Sequence, residues 1–339
     1  MLNSRIFLIL LLTFILILRI QSLGGLHEPE PDPFLEEIGS KFESQRNYLS
    51  KVSQAILPQP QAALLTGMVL GVKEDLPFEF KKALSNTSTM HIVVVSGQNL
   101  TLLGGFLLGL APLIGRKKTL IVTLIFLIFY SVFTGLQIPV LRAVLMFGLA
   151  SIAQILGRAD DSPWVLMLTA LAMLIYNPSW LLSISFQLSF LATVGVIILA
   201  PALIEHFNFL PNLIKQDLVV TTAAQIMVFP IIAVNFHQMS IFGILVNSLI
   251  LWTVPIIMLT GMATFLISII NIWLAELFGL IPGVLLTYFV YIVDAFNQPW
   301  ANMYVGRISW IVWIGYYLII LGIYLTLRKR NTLKSESQN

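Results

Sequence analysis

The chain has 339 residues, 58% of them hydrophobic and 10% charged, with a formal net charge of +3 and a mean hydropathy of +0.90. A soluble domain carries about 25% charged residues, so a soluble globular class is excluded and lipid is the expected solvent. There is no cysteine, which excludes disulfides, thiolate metal sites and cysteine nucleophiles.

The first apolar run, residues 6–20 with Arg5 just before it and Arg19 near its end, has two readings, a cleaved signal peptide or an uncleaved span. Gln21-Ser22-Leu23-Gly24-Gly25 is a poor cleavage site, so residues 1–23 are read as a transmembrane anchor. The chain then turns polar, and residues 24–61 are read as exterior. Glu28-Pro29-Glu30-Pro31-Asp32-Pro33 is an extended acidic linker that cannot be helical. From Pro33 or Phe34 onwards, Phe34, Leu35, Ile38, Phe42, Leu49, Val52 and Ile56 recur at helical spacing. That predicts one amphipathic helix lying on the membrane surface or on the bundle. Residues 62–72 are apolar but too short to cross, and residues 73–86 are too polar to span.

Candidate spans follow at about residues 91–114, 119–135, 140–156, 164–176, 184–204, 218–236, 242–270, 273–296 and 310–327. With the anchor they make about ten, at about 20 apolar residues each. Residues 164–176, bounded by Pro163 and Pro178, also fit a re-entrant segment. Residues 242–270 are long and interrupted by Pro255 and Gly261. The expected fold is an all-α polytopic membrane bundle with exterior amphipathic helices. Its membrane domain covers residues 62–330, and residues 331–339 form a cytoplasmic tail.

Orientation follows from Lys and Arg. Arg116-Lys117-Lys118, Arg158, Lys215 and Arg328-Lys329-Arg330 all fall inside if ten spans alternate from a cytoplasmic N-terminus. The acidic stretch 28–43 then falls outside. Both termini are expected in the cytoplasm, and the membrane is expected to be the cytoplasmic one.

Polar groups in hydrocarbon mark packing contacts or a pathway, because each is costly without a partner. The first cluster runs from His91 through Ser96, Gly97, Gln98, Asn99 and Thr101 to Gly104 and Gly105. Helix packing would explain the glycine pair. It explains Gln98 beside Asn99 less well, since neighbours point about 100° apart on a helix. A broken helix near Ser96-Gly97 lining an aqueous path is therefore expected. A rhomboid-type protease would need glycine where Val94 stands. The second cluster is Gln137, Pro139 and Arg142. Arg142 either snorkels to the outer interface or offers a phosphate contact near a helix start. The third holds Ser183, Ser185, Gln187 and Ser189, where interhelical glue and function are equally open. The four histidines, His27, His91, His206 and His237, lie far apart, so neither a metal nor a cofactor is expected.

These segments, in this order, resemble the membrane-embedded competence domain of the ComEC-type DNA-uptake channel family. Its leader of the type Leu-Leu-x-Gly-x-x-Leu-Gly is matched by Leu64-Leu65-Thr66-Gly67-Met68-Val69-Leu70-Gly71. A histidine, apolar residues and Ser-Gly-Leu-His are matched by His91 to Ser96-Gly97-Gln98-Asn99. Arg142-Ala143 matches an Arg-Ala pair opening a later span, and Phe186 to Ala192 match Phe-Gln-Leu-Ser-Phe-Leu-Ala residue for residue. The second histidine of the family pattern is Asn99 here, so an amide takes its place. The resemblance is close over residues 62–204 and rests on hydropathy beyond them. Relatives also carry an exterior oligonucleotide-binding fold and often a metallo-β-lactamase-like domain. Residues 26–60 are too short for the first, and the expectation is a minimal channel module.

The resemblance implies a conduit for single-stranded DNA in natural transformation, not an enzyme. His91, Ser96, Gly97, Gln98, Asn99, Arg142, Ser185 and Gln187 would line it. The expected partners are DNA, membrane lipids and separate DNA-receptor, nuclease or motor proteins. Two other classes stay open: a transporter of a small solute or lipid-linked intermediate, and an intramembrane enzyme using His91 and Ser96.

Overall fold

The computed structural model describes residues 2–337 apart from 73–74, 94, 158–160, 208–210, 237, 241, 299–301 and 305–307. It is an all-α membrane architecture. The first helix, α1 (Leu2–Ser22), is followed by two short ones, α2 (Pro33–Ser40) and α3 (Glu43–Ile56). Asp32 caps α2, accepting the Phe34 N–H at 3.0 Å and the Leu35 N–H at 3.2 Å, while Pro33 supplies a helical φ at the first position. The single amphipathic helix expected over residues 34–56 is therefore two. The chain turns at Lys41 and Phe42 because α2 packs on a glycine corner. A Cβ on Gly39 would lie 3.1 Å from the Gly135 Cα. Arg46 locks the corner, donating from Nη1 to the Gly39 carbonyl at 2.9 Å and the Phe133 carbonyl at 2.8 Å.

The remaining helices are α4 (Gln61–Leu70), α5 (Phe78–Asn86), α6 (Met90–Val93), α7 (Gly97–Leu108), α8 (Ala111–Ile114), α9 (Arg116–Phe133), α10 (Ile138–Ile155) and α11 (Ser162–Tyr176). Then come α12 (Ile184–Val194), α13 (Ala200–Leu203), α14 (Asn212–Phe236), α15 (Gly243–Ile250), α16 (Val254–Ile270), α17 (Ile272–Phe296) and α18 (Trp310–Ser337). Among the described residues, seven helical stretches are long and apolar enough to cross a membrane: Arg5–Ser22, Ile138–Ile155, Ile184–Phe207, Lys215–Asn235, Gly243–Ile270, Ile272–Phe296 and Trp310–Leu327. The candidates at 91–114 and 164–176 yield shorter pieces. The candidate at 119–135 falls in α9, whose 18 residues include Arg116, Lys117 and Lys118 and which is not among the seven. The 15 residues of α11 reach ~22 Å at ~1.5 Å per residue, short of a ~30 Å hydrocarbon core. The long candidate at 242–270 is interrupted by a 3-10 turn at Leu251–Thr253. Pro255 explains that turn, because its ring would clash with the carbonyl four residues back in an α-helix. Gly261 does not break α16. It admits the Leu65 side chain of α4, whose Cγ would lie 3.6 Å from an added Cβ.

The chain divides into two compact units. The first comprises Met1–Phe78, His91–Phe190 and Thr253–Val290. Its centre is α4, whose residues from Ala62 to Leu70 are all buried. A ten-residue helix that is apolar all round, and too short to cross, is stable only inside other protein. Around it pack α3 and α16, and the Ser53 hydroxyl donates to the Ala62 carbonyl at 3.0 Å.

On the rim of this unit, α1 runs parallel to α11. Arg5 Nη1 lies 2.6 Å from Asp161 Oδ2, and its guanidinium lies 5.2 Å from the centre of the Trp164 ring. Asp161 also caps α11, accepting the Trp164 N–H at 3.3 Å. The N-terminal segment thus braces a helix that cannot span by itself.

The second unit comprises Glu79–Met90, Leu191–Trp252 and Tyr291–Asn339. A π-helical turn at Gly195–Leu199 leads into α13, and Gly195 presses on the α14 backbone, where a Cβ would meet the Ala223 carbonyl carbon at 2.9 Å. Pro230 sits inside α14 and cannot bond the Ile226 carbonyl. Tyr316 Oη supplies the missing donor at 2.9 Å, and Tyr317 Oη donates to the Met227 carbonyl at 2.9 Å. A short antiparallel ladder pairs Gln238 with Tyr304 and Ser240 with Asn302.

Candidate functional site

The predicted break in the helix of residues 91–114 is present in the first unit. One turn of helix, α6, stops at Val93, and α7 restarts at Gly97. Ser96 between them is extended, with φ −111° and ψ 165°. The sequence folds this way because a serine ahead of glycine and two amides is a helix start. Ser96 Oγ accepts the Asn99 N–H at 3.3 Å, an N-cap, and its hydroxyl donates to Asn99 Oδ1 at 3.2 Å.

The break packs against the C-terminal end of α4, and the leader motif explains the fit. Gly67 faces the Val93 carbonyl, which an added Cβ would meet at 2.7 Å. Gly71 closes α4 in the left-handed region, at φ 78°, and would bring a Cβ 3.0 Å from the Thr134 carbonyl and 3.3 Å from Gln137 Nε2. Only glycine meets both the conformation and the space. The last carbonyls of α4 are then satisfied by side chains. Asn99 Nδ2 donates to the Met68 carbonyl at 3.4 Å, and Tyr130 Oη to the Val69 carbonyl at 2.8 Å. Asn99 is 2% exposed, so its amide holds the break against α4.

Arg142 lies about one turn into α10, behind Pro139 near the helix start. Its side chain turns inward and is 9% exposed, so it does not snorkel to the interface. The guanidinium lies on Gly97, where an added Cβ would be 3.2 Å from Cζ and 3.2 Å from the Pro139 carbonyl oxygen, and closer still to Nη2. From there Nη1 donates to the Ser189 carbonyl of α12. One fork thus joins α10, the start of α7, and α12.

The structure brings Ser96, Gly97, Asn99 and Arg142 together. Ser185 is exposed, and Gln187 turns its amide back to the Leu181 carbonyl at 2.9 Å. What α12 offers Arg142 is a backbone oxygen. His91 is exposed on α6. The Gln98 backbone opens α7, and its side chain lies outside the described residues. Tyr130 and the Met68, Val69 and Ser189 carbonyls were not singled out in the sequence. A tyrosine in an apolar span is a signal that could have found the first. Backbone oxygens leave none.

Chemically, the cluster offers a planar cationic fork beside hydroxyl and amide groups. That suits transient pairing with a phosphate oxygen better than general acid–base chemistry.

The family model described as "Competence protein" matches residues 68–330. Over 216 residues the chain is 27% identical to ComE operon protein 3 of Bacillus subtilis, covering 63% of this chain and 27% of that protein. It is 26% identical over 260 residues to the uncharacterized protein YcaI of Escherichia coli, covering 68% and 33%. An uncharacterized Aquifex aeolicus protein is 29% identical over 166 residues, covering 48% and 40%. The chain therefore spans well under half the length of these relatives. No solved structure matches.

Proposed function

The chain belongs to the competence protein family, and from that premise we propose that it forms a conduit for single-stranded DNA across the cytoplasmic membrane in natural transformation. The observation that carries this reading is the seat of Arg142 on the broken helix at Gly97. A strand in transit needs a water-lined wall of hydroxyls and amides, with few fixed cations to trap it. Ser96 and Gly97 at the break would form the wall beside Arg142, with the buried Asn99 as its brace. His91, Gln98, Ser185 and Gln187 would line the path away from the break, and Arg142 would supply a cation that meets passing phosphates one at a time.

The reading includes no catalysis by this chain. Ser96, the nucleophile of the enzyme alternative, spends its hydroxyl on capping α7. Cutting, capturing and driving the strand fall to separate nuclease, receptor and motor proteins. Both termini would lie in the cytoplasm on the Lys/Arg bias, which requires an even number of crossings and so at least one beyond the seven stretches named above. The Arg5–Asp161 pair sets the start of α1 on the same side as the loop before α11.

Deleting the gene and scoring labelled DNA in a nuclease-protected cytoplasmic pool tests the proposal. Loss of that pool, restored by the wild-type gene and not by an Arg142→Ala copy made at equal abundance, is the expected result. Undiminished uptake in the deletion strain refutes it.

A further inference from the structure

We propose that Arg142 is a latch, closed in this structure, that the backbone phosphate of an arriving strand opens. The inference rests on the DNA-conduit reading and adds to it how the path is kept shut in the absence of substrate.

The latch is visible as a three-element link. Arg142 is rooted on α10, lies over Gly97 at the start of α7, and ends on the Ser189 carbonyl of α12. Two of the contacts just named are with backbone. Gly97 contributes bare Cα surface and Ser189 a carbonyl oxygen. These are neutral partners, and a bond from guanidinium to a neutral carbonyl is weaker than a bidentate pair with a phosphate. A phosphate arriving at the break therefore competes for the same fork on favourable terms. When the fork turns to it, the α10–α12 link is released. A fixed membrane seal does not need a cation at this point, and a leucine of similar length would cost less to bury.

Gly97 is the positioning residue of this device. Any side chain there occupies the space of Nη2 and Cζ, so Gly97→Ala pushes the fork off its seat from the opposite side. Arg142→Gln removes the fork itself. If both substitutions open one latch, combining them adds nothing further, whereas two independent packing defects add.

The absence of cysteine permits a direct measurement on the full chain in membranes. Ser189→Cys keeps the backbone carbonyl and gives one thiol, half-buried, beside the latch. Its rate of modification by a charged, water-soluble thiol reagent reports the opening. The rate is expected to be low in the otherwise unchanged protein. It should rise about ten- to hundredfold in Gly97→Ala or in Arg142→Gln, the range set by loss of one hydrogen bond to a charged group. The double variant should be no faster than the faster single. A single-stranded oligonucleotide should raise the rate in the unsubstituted background and leave Arg142→Gln unaffected. A rate unchanged by either substitution, or additive in the double variant, overturns the latch. A rate raised by both substitutions and indifferent to the oligonucleotide keeps the latch and overturns the DNA reading.

Discussion

Two of the helical interruptions among the described residues are met in opposite ways. In α14, Pro230 removes one backbone bond, yet the helix continues, because Tyr316 Oη covers the freed Ile226 carbonyl. Between α6 and α7 no proline forces anything, and the helix nevertheless opens. There Ser96, Asn99 and Arg142 converge on the opening. The first is a defect repaired by one hydroxyl. The second is a break built by side chains, with its own cap, two close-fitting glycines and a buried cation. Freed backbone in a membrane must be satisfied by protein or by water. The amount of specialised chemistry at the second break makes it the candidate site.

The contrast is most sharply tested at Gly97. Gly97→Val places two methyl groups where the Arg142 fork lies, and overpacking of that kind costs about 1–3 kcal/mol. Uptake should fall to near background while much of the protein still inserts. Gly105 has open space around an added Cβ, so Gly105→Ala should leave insertion and uptake unchanged. Equal effects at the two glycines would mean that the seat on Gly97 is incidental.

Tyr130 and Tyr316 make the same kind of bond, hydroxyl to backbone carbonyl, the first at the end of α4 that packs on the break and the second at the Pro230 interruption. Tyr130→Phe leaves the Val69 carbonyl, at the buried end of α4, without its donor, which should cost about 1–3 kcal/mol. Tyr316→Phe should cost about 1 kcal/mol. The second loss should shrink when combined with Pro230→Ala, because the restored N–H can then bond Ile226. Tyr130→Phe has no such rescue. Thermal or denaturant stability of the four variants in detergent decides this, and an undiminished Tyr316→Phe cost in the alanine background contradicts the repair account.

The smallest effect is expected on the rim. Arg5, chiefly through its hydrogen bond to the carboxylate, holds Asp161 below its ordinary carboxylate range. A depressed folded-state value adds stability above the unfolded carboxylate pKa of about 3.9. That stability fades as pH falls through the lower folded value. Both partners are well exposed, so the gain is about 0–1 kcal/mol. Asp161→Asn should slightly increase protease cleavage near α1 at neutral pH and leave it unchanged in strong acid.

How far the sequence could be read follows the same division. The break near Ser96-Gly97 was legible from the adjacent amides of Gln98 and Asn99 behind Gly97, whereas the local cap of Ser96 on Asn99 that makes it was not read. The division of residues 34–56 into α2 and α3 was not, because its cause is a contact with Gly135, far along the chain. Residues 91–114 and 164–176 looked like spans by hydropathy, which registers burial in lipid and burial in protein alike. Arg142 was identifiable as a lone cation beside a helix start. Its partner was not, since Ser185 and Gln187 carry the side chains that draw attention, while the contact goes to the carbonyl of Ser189. The leader glycines were matched as a pattern, and the structure gives each its reason in the fit of α4 to Val93 and Thr134.

The most direct test of the central claim is DNA uptake by cells making Arg142→Ala and Arg142→Lys at wild-type abundance, scored as labelled DNA in the nuclease-protected pool. Lysine keeps the charge and loses the planar fork, so partial uptake is expected, whereas alanine should abolish most of it. Normal uptake by Arg142→Ala would contradict the account and leave the residue a packing element of α10.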